Sequence, residues 1–273
     1  MIDEAIQTVT IFDKILDSQR RASTCLCVGL DTDMNKLPSP LPKSLDGILE
    51  FNRTIIKATQ QHCSSYKINF AFYEQYGSAG YALIEQTRAM IPDTHVSIAD
   101  AKRGDIGNTS AAYAKAILGT MDFDAITVSP YMGADSVEPF LAFENKLVFV
   151  LALTSNSGSR DFQYTTSDAR TLYERVILQS QQWRRTGILG YVVGATHPGE
   201  LAAIRNLIPD APLLIPGVGT QGGDAQATMQ ANGNGIAFIN ASRSIIYASS
   251  GDDYAHAAGI AAATLARSVG INE

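Results

Sequence analysis

The chain reads as an α/β protein, a (β/α)8 TIM barrel in a single domain with a leading N-terminal helix. Three observations predict it. Short apolar runs recur at intervals of roughly 25 to 35 residues, the spacing of βαβ units and a parallel sheet. Helical apolar periodicity fills the stretches between them. Polar or glycine residues, Asp31, Asp100, Ser155, Thr196, Gly219 and Arg243, follow the ends of the runs, as they do where barrel strands open at one mouth. With 273 residues, 45% of them hydrophobic, residues 1–273 can bury one large core as a single barrel domain.

A leading helix is expected around Asp3–Ser18. The first strand is expected near Thr24–Asp31, where Cys25 and Cys27 serve as small buried hydrophobes. The proline-rich loop Thr32–Asp46 precedes a helix near Gly47–Gln61. A strand near Tyr66–Phe70 and a helix near Tyr73–Met90 follow. The apolar run before Asp100 sets a strand near His95–Asp100, and the alanine-rich stretch after it a helix near Thr109–Gly119. The remaining strands are expected near Asp124–Ser129, Leu147–Ser155, Leu189–Thr196, Pro212–Val218 and Gly235–Ser242. Their helices are expected near Ser136–Ala142, Ser167–Arg185, Gly199–Leu207, Asp224–Ala231 and Tyr254–Val269. The loop Asn156–Asp168, rich in serine, threonine and glycine, suits a surface connection first and a closing lid second.

Composition excludes several classes. A net charge of −6 without any basic stretch gives no surface for nucleic acid. No window approaches 18 uninterrupted apolar residues, so no membrane span is expected. Met1-Ile2-Asp3-Glu4 lacks the layout of a signal peptide, and three cysteines give no disulfide framework, which fits a reducing cytoplasm. His62, His95, His197 and His256 are dispersed, so neither a metal site nor a cofactor is expected.

The chemistry concentrates in Asp100-Ala101-Lys102-Arg103-Gly104-Asp105-Ile106-Gly107-Asn108-Thr109. Residues two apart on a strand share a face, so Asp100 and Lys102 point together, with Asp105 following as the chain turns. Two carboxylates bracketing an ammonium keep it protonated and aimed. An ordinary solvated ion pair is the plain alternative for this segment alone. Lys67, in Tyr66-Lys67-Ile68-Asn69-Phe70, is a lysine inside a buried run, where it either snorkels or is paired. Neighbouring strands would join Asp31, Lys67, Asp100 and Lys102 into an alternating charge network. Gly217-Val218-Gly219-Thr220-Gln221-Gly222-Gly223 satisfies G-x-G-x-x-G, but it sits on the seventh strand, and Asn240 rather than an acid follows. A phosphate cradle, with a helix N-terminus near Asp224 and Arg243 as the charged partner, suits that place better than a dinucleotide; a tight turn without ligand is the other reading.

Asp31, Lys67, Asp100-x-Lys102-x-x-Asp105-Ile106-x-x-Thr109, Pro216-Gly217-Val218-Gly219-x-Gln221-Gly222-Gly223 and Arg243, in this order over nearly the whole chain, resemble the orotidine 5′-phosphate decarboxylase family. Asp-Ala-Lys-Arg-Gly-Asp-Ile-Gly is similar to its longer bacterial branch, and Gly107 stands where the shorter branch has proline. The resemblance implies that Lys102 protonates C6 of the pyrimidine after CO2 leaves and that Asp100 sits beside the departing carboxylate. It implies that Lys67 and Asp31 hold the network and the ribose hydroxyls, and that Ser155 contacts the pyrimidine edge, with Thr154 and Ser157 as competitors. Gln221 and Arg243, with backbone amides nearby, would grip the 5′-phosphate, and Pro216, Gly219 and Gly222 would also bind substrate. Asp105, Ile106 and Thr109 would reach the partner subunit's site in a homodimer.

The implied reaction makes UMP from orotidine 5′-phosphate in pyrimidine synthesis. It leaves a poorly delocalised carbanion, and the chain offers fixed charge rather than an electron sink. Two alternatives remain. One is a Mg²⁺-dependent sugar-phosphate aldolase or decarboxylase on the same barrel, such as hexulose-phosphate synthase, which needs an acid on the second strand where this chain has Lys67. The other is a nucleotide-binding barrel without catalysis.

Overall fold

A computed structural model describes residues 10–196, 198–218 and 224–271. Its parallel strands are β1 (Leu26–Gly29), β2 (Ser65–Asn69), β3 (Val96–Arg103), β4 (Ala125–Val128), β5 (Leu147–Leu153), β6 (Ile188–Val193), β7 (Leu213–Pro216) and β8 (Ala237–Ala241). Each pairs with the next in sequence and β8 pairs with β1, so the sheet closes as a (β/α)8 barrel. The helices are α1 (Ile11–Ala22), α2 (Leu45–Thr59), α3 (Ser78–Met90), α4 (Gly107–Ala114), α5 (Ala134–Leu141), α6 (Leu172–Ser180), α7 (Pro198–Leu207), α8 (Ala225–Asn232) and α9 (Tyr254–Ser268).

Two apolar layers follow from strand alternation. Outward residues such as Leu26 and Val28 meet the buried stripes of the helices, for example Ile48, Phe51 and Ile55 of α2. Inward residues Cys27, Val96, Ile98, Ala125, Phe149, Val192, Leu214 and Phe238 form a second cluster, joined by Ile11 and Ile15 of α1. Thus α1 plugs the N-terminal end of the barrel, and full burial of Ile15 contributes about 1.5–3 kcal/mol. An ion pair of Lys14 with Asp124 (2.8 Å) pins the plug, and Asp124 also accepts from the Ser97 amide (2.8 Å) and hydroxyl (2.7 Å). With one end filled, the inward alternation places Gly29, Lys67, Asp100, Lys102, Thr127, Leu151, Pro216 and Asn240 toward the other.

Several boundaries differ from expectation, each for a local reason. A capping box between Thr10 and Asp13 starts α1 at Ile11, and Ser23 at φ +50° ends it after Ala22; residues 3–9 of the expected helix lie outside the described residues. Gly77 at φ +62° splits the expected Tyr73–Met90 helix into Ala71–Glu74 and α3. The helix after β3 begins at Gly107 and continues as a π-helical stretch, Lys115–Thr120. Residues Thr166–Ser167 and Arg170–Thr171 pair as a small antiparallel ribbon, so α6 begins only at Leu172 behind the Thr171–Glu174 capping box. A short helix, Arg243–Ile246, follows β8 directly.

Candidate active site

At the C-terminal ends of the strands lies a cavity of about 270 Å³. Its lining includes Asp31, Lys67, Asp100, Lys102, Ser155, Pro216 and Arg243, so seven residues singled out from sequence meet in one place. The charge network is continuous. Lys67 Nζ donates to Asp100 Oδ2 at 2.8 Å and to Asp31 Oδ1 at 3.4 Å, and Lys102 Nζ donates to Asp100 Oδ1 at 2.6 Å. Two carboxylates do bracket one ammonium, but that ammonium is Lys67. Lys102 pairs with Asp100 alone among the described residues, and Asp105 Oδ1 instead accepts from the Ile106 amide at 2.8 Å.

Burial decides the role each charge can play. Lys67 is 3% exposed, and burial alone would lower its pKa; Asp100 and Asp31 outweigh this and hold it above the ordinary lysine range, so it is a fixed cation. Burial would likewise raise the Asp100 pKa, but the Lys67 and Lys102 ammonium groups hold it well below the usual carboxylate range. The Lys102 side chain keeps 52% exposure while its ammonium is bonded, which leaves a charged donor open to the cavity. Beneath the network, burial pushes the Cys27 thiol up to about 12, so that position adds no charge.

β3 delivers Lys102 by leaving regular pairing. Ala99 pairs with Ile126 and Arg103 with Val128, so the strand bulges between them, and Lys102 takes φ +46°, rare for a residue with a side chain. On the outer side Arg103 is clamped by Glu74 and lies over the Phe70 and Tyr113 rings. β1 contributes a different device: a Cβ on Gly29 would stand 1.9 Å from Ser242 Oγ and 3.1 Å from Asn240 Oδ1, so only glycine lets β1 and β8 close here.

The other expected residues divide by place. Ser155 lines the cavity with Thr154 and Asn156, whereas Ser157 does not. The Thr154 hydroxyl is taken by Asn156 (2.6 Å) and Gln163 (2.8 Å), which also ties the loop after β5 to its strand. Arg243 lines the rim and forms no ion pair among the described residues. Gly219, Gln221 and Gly222 lie outside the described residues. At the N-terminus of α8, expected as an anion site, the Asp224 carboxylate caps the helix, accepting from the Gln226 amide (2.8 Å) and the Ala227 amide (3.4 Å). Asp105, Ile106 and Thr109 do not line this cavity, and Ile106 is 56% exposed.

Thr127 and Asn240 are among the cavity residues to which the sequence assigned no role. Thr127 accepts from the Lys102 amide and donates to Asp100 Oδ1, both at 3.0 Å. Asn240 is 7% exposed, and its Oδ1 has no hydrogen-bond partner among the described residues. Buried acceptors are seldom left unpaired. The signal for both was a polar residue at an inward position of an apolar strand.

Comparison with known proteins places this architecture. The profile of the orotidine 5′-phosphate decarboxylase / HUMPS family matches residues 24–258. An orotidine 5′-phosphate decarboxylase from Porphyromonas gingivalis is 50% identical over 264 residues, covering 94% of either chain. One from Dehalococcoides mccartyi is 48% identical over 257 residues, covering 92% of this chain and 93% of its own. The solved structure of Leishmania donovani OMP decarboxylase superimposes with a TM-score of 0.82 at 34% identity, covering 95% of this chain and 97% of that one. The barrel, the paired charges at its mouth and these likenesses agree, and the chain belongs to the orotidine 5′-phosphate decarboxylase / HUMPS family.

Proposed function

We propose that this chain, acting as one barrel domain in the cytoplasm, converts orotidine 5′-phosphate to UMP and CO2 in pyrimidine nucleotide synthesis. The observation that carries the reading is the Asp31–Lys67–Asp100–Lys102 chain in a cavity rimmed by Arg243, which has no ion-pair partner among the described residues. Relatives at 48–50% identity over nearly full length carry the decarboxylase name, which favours this branch of the family over its sugar-phosphate branch. The electrostatics point the same way. Asp31 and Asp100 are both engaged by the buried Lys67 ammonium, and a divalent cation seated between them would meet that charge.

In the proposed step the C6–carboxylate bond breaks heterolytically, CO2 leaves, and the electron pair stays on C6. Lys102 stabilises that pair and gives C6 a proton, which solvent then replaces. Lys67, buried and held between two carboxylates, keeps Asp100 in place; Asp31 and Lys67 also face the ribose hydroxyls, and Ser155 the pyrimidine edge. Asp100 beside the substrate carboxylate raises the ground-state energy, a contribution smaller in this reading than stabilisation by Lys102. Arg243 and the loop carrying Pro216, Gly219, Gln221 and Gly222 take the 5′-phosphate, whose binding energy helps close the site. Asp105, Ile106 and Thr109 serve the partner subunit's cavity in a homodimer, a role that fits their absence from their own.

The test is loss of orotidine 5′-phosphate absorbance by purified protein in excess chelator. Rapid loss with UMP as product is expected. A folded protein that binds UMP without turnover supports the nucleotide-binding alternative, and activity that vanishes with chelator supports the metal-dependent one.

A further inference from the structure

We propose that Thr127 is a positioning residue for Lys102, holding both its backbone and its ammonium through a single hydroxyl. Three residues of β3, Asp100, Ala101 and Lys102, stand opposite one residue of β4, Thr127, because the register shifts between Ala99 and Arg103. A bulge of this kind leaves a strand amide without its ladder partner, and buried amides need one. The Lys102 amide finds it in Thr127 Oγ1 at 3.0 Å.

The same oxygen donates its only proton to Asp100 Oδ1 at 3.0 Å, and that carboxylate oxygen accepts from Lys102 Nζ at 2.6 Å. The bonds form a closed circuit: Lys102 amide to Thr127, Thr127 to Asp100, and Lys102 ammonium to Asp100. The direction of each is forced, because the amide and ammonium only donate and the ionised carboxylate only accepts. Thr127 is 1% exposed, so water does not compete for its hydroxyl. The circuit holds Lys102 at φ +46°, a conformation that the residue would leave if the amide were freed.

Valine has the shape of threonine without the hydroxyl. It would leave the Lys102 amide and one Asp100 lone pair unsatisfied and release the strained residue, while the cavity kept its volume. Displacement of a proton donor is felt in the chemical step rather than in nucleotide binding. The inference rests on Lys102 as the donor to C6.

The experiment measures kcat, KM and UMP affinity for Thr127→Val and Thr127→Ser beside Lys102→Ala, with Thr127→Ala replacing the valine variant if that is insoluble. Loss of one buried hydrogen-bonding partner predicts a fall in kcat of about tenfold to a hundredfold for Thr127→Val. UMP affinity is expected to stay within about threefold of wild type, and Thr127→Ser to restore kcat to within about threefold. A valine variant that keeps wild-type kcat, a serine variant as slow as valine, or UMP affinity that falls in step with kcat overturns the inference. If Lys102→Ala itself turns over at the wild-type rate, the donor reading fails and takes this inference with it. If Lys102→Ala is inert while Thr127→Val is fully active, only the role of Thr127 fails.

Discussion

Lys102 and Lys67 are both lysines against Asp100, yet their surroundings separate their work. Lys67 is buried between two carboxylates and has no freedom to give up its proton, whereas Lys102 touches one carboxylate and opens on the cavity. Removing Lys102 therefore tests chemistry. Lys102→Ala should lower kcat by at least about 10²–10⁴-fold with nucleotide binding largely intact, read by single-turnover kinetics and UMP titration. Arg243→Ala should act oppositely, raising KM by about 10- to 150-fold at nearly constant kcat, the loss of a charge-assisted bond to an anion. An unchanged KM would remove Arg243 from the phosphate grip. Lys67 and Asp100 were legible in sequence because a charge inside an apolar run is costly unless paired, so its presence announces a partner. Thr127 and Asn240 were not, because threonine is an ordinary strand residue and a single amide carries no charge to betray it. Within one chain Asp105 does not bracket Lys102, because sequence spacing says nothing about which way the turn after Arg103 carries a side chain.

Between elements, the joint of α1, α2 and β3 carries a buried histidine. His95 Nε2 lies 2.8 Å from the Gln60 carbonyl oxygen and 3.0 Å from the Arg21 guanidinium. Burial, with Arg21 and Lys14 adding to it against the pull of Gln60, lowers its pKa to about 4, so the fold keeps His95 neutral. An unfolded chain binds a proton there from about pH 6.5 downward, so stability present above 6.5 is lost as pH falls toward 4, by about 2–3 kcal/mol from this group. Urea unfolding at pH 7 and 4.5 should show that loss in wild type and a much smaller one in His95→Gln; equal losses would place the pH sensitivity elsewhere. The order and type of the elements followed from periodicity, whereas their ends did not. Caps such as Thr10 and Thr171, and Gly77, act within one turn and override the pattern around them. The β3 bulge was invisible because alternation shows which face a residue takes and not what lies across from it.

At the scale of the whole molecule, the closed barrel was readable from the eightfold recurrence of strand and helix, since right-handed crossovers leave few other ways to join such units. Where α1 docks was not, since an amphipathic helix fits any apolar opening. Ile106, Tyr131 and Met132 are large apolar side chains left exposed, which suits burial against a second copy in the proposed homodimer. If Asp105 serves the partner, two inactive variants should repair each other. Unfolded and refolded together, Lys102→Ala and Asp105→Ala should regain roughly a quarter of wild-type activity, because half the dimers are mixed and one site in each is whole. No recovery would place Asp105 and Lys102 in the service of the same subunit.

Arg243 is solvent-exposed and has no ion-pair partner among the described residues, while Lys67 and Asp100 are screened by protein. Ionic strength therefore reaches the two parts of the mouth unequally, since dissolved ions weaken interactions between exposed charges over about 8–10 Å and scarcely touch buried ones. Added salt should slow capture of a doubly charged phosphate, lowering kcat/KM, and leave kcat near its low-salt value. In an enzyme whose net charge is −6, that asymmetry makes a single exposed arginine the point at which the surrounding electrolyte sets how readily substrate is collected.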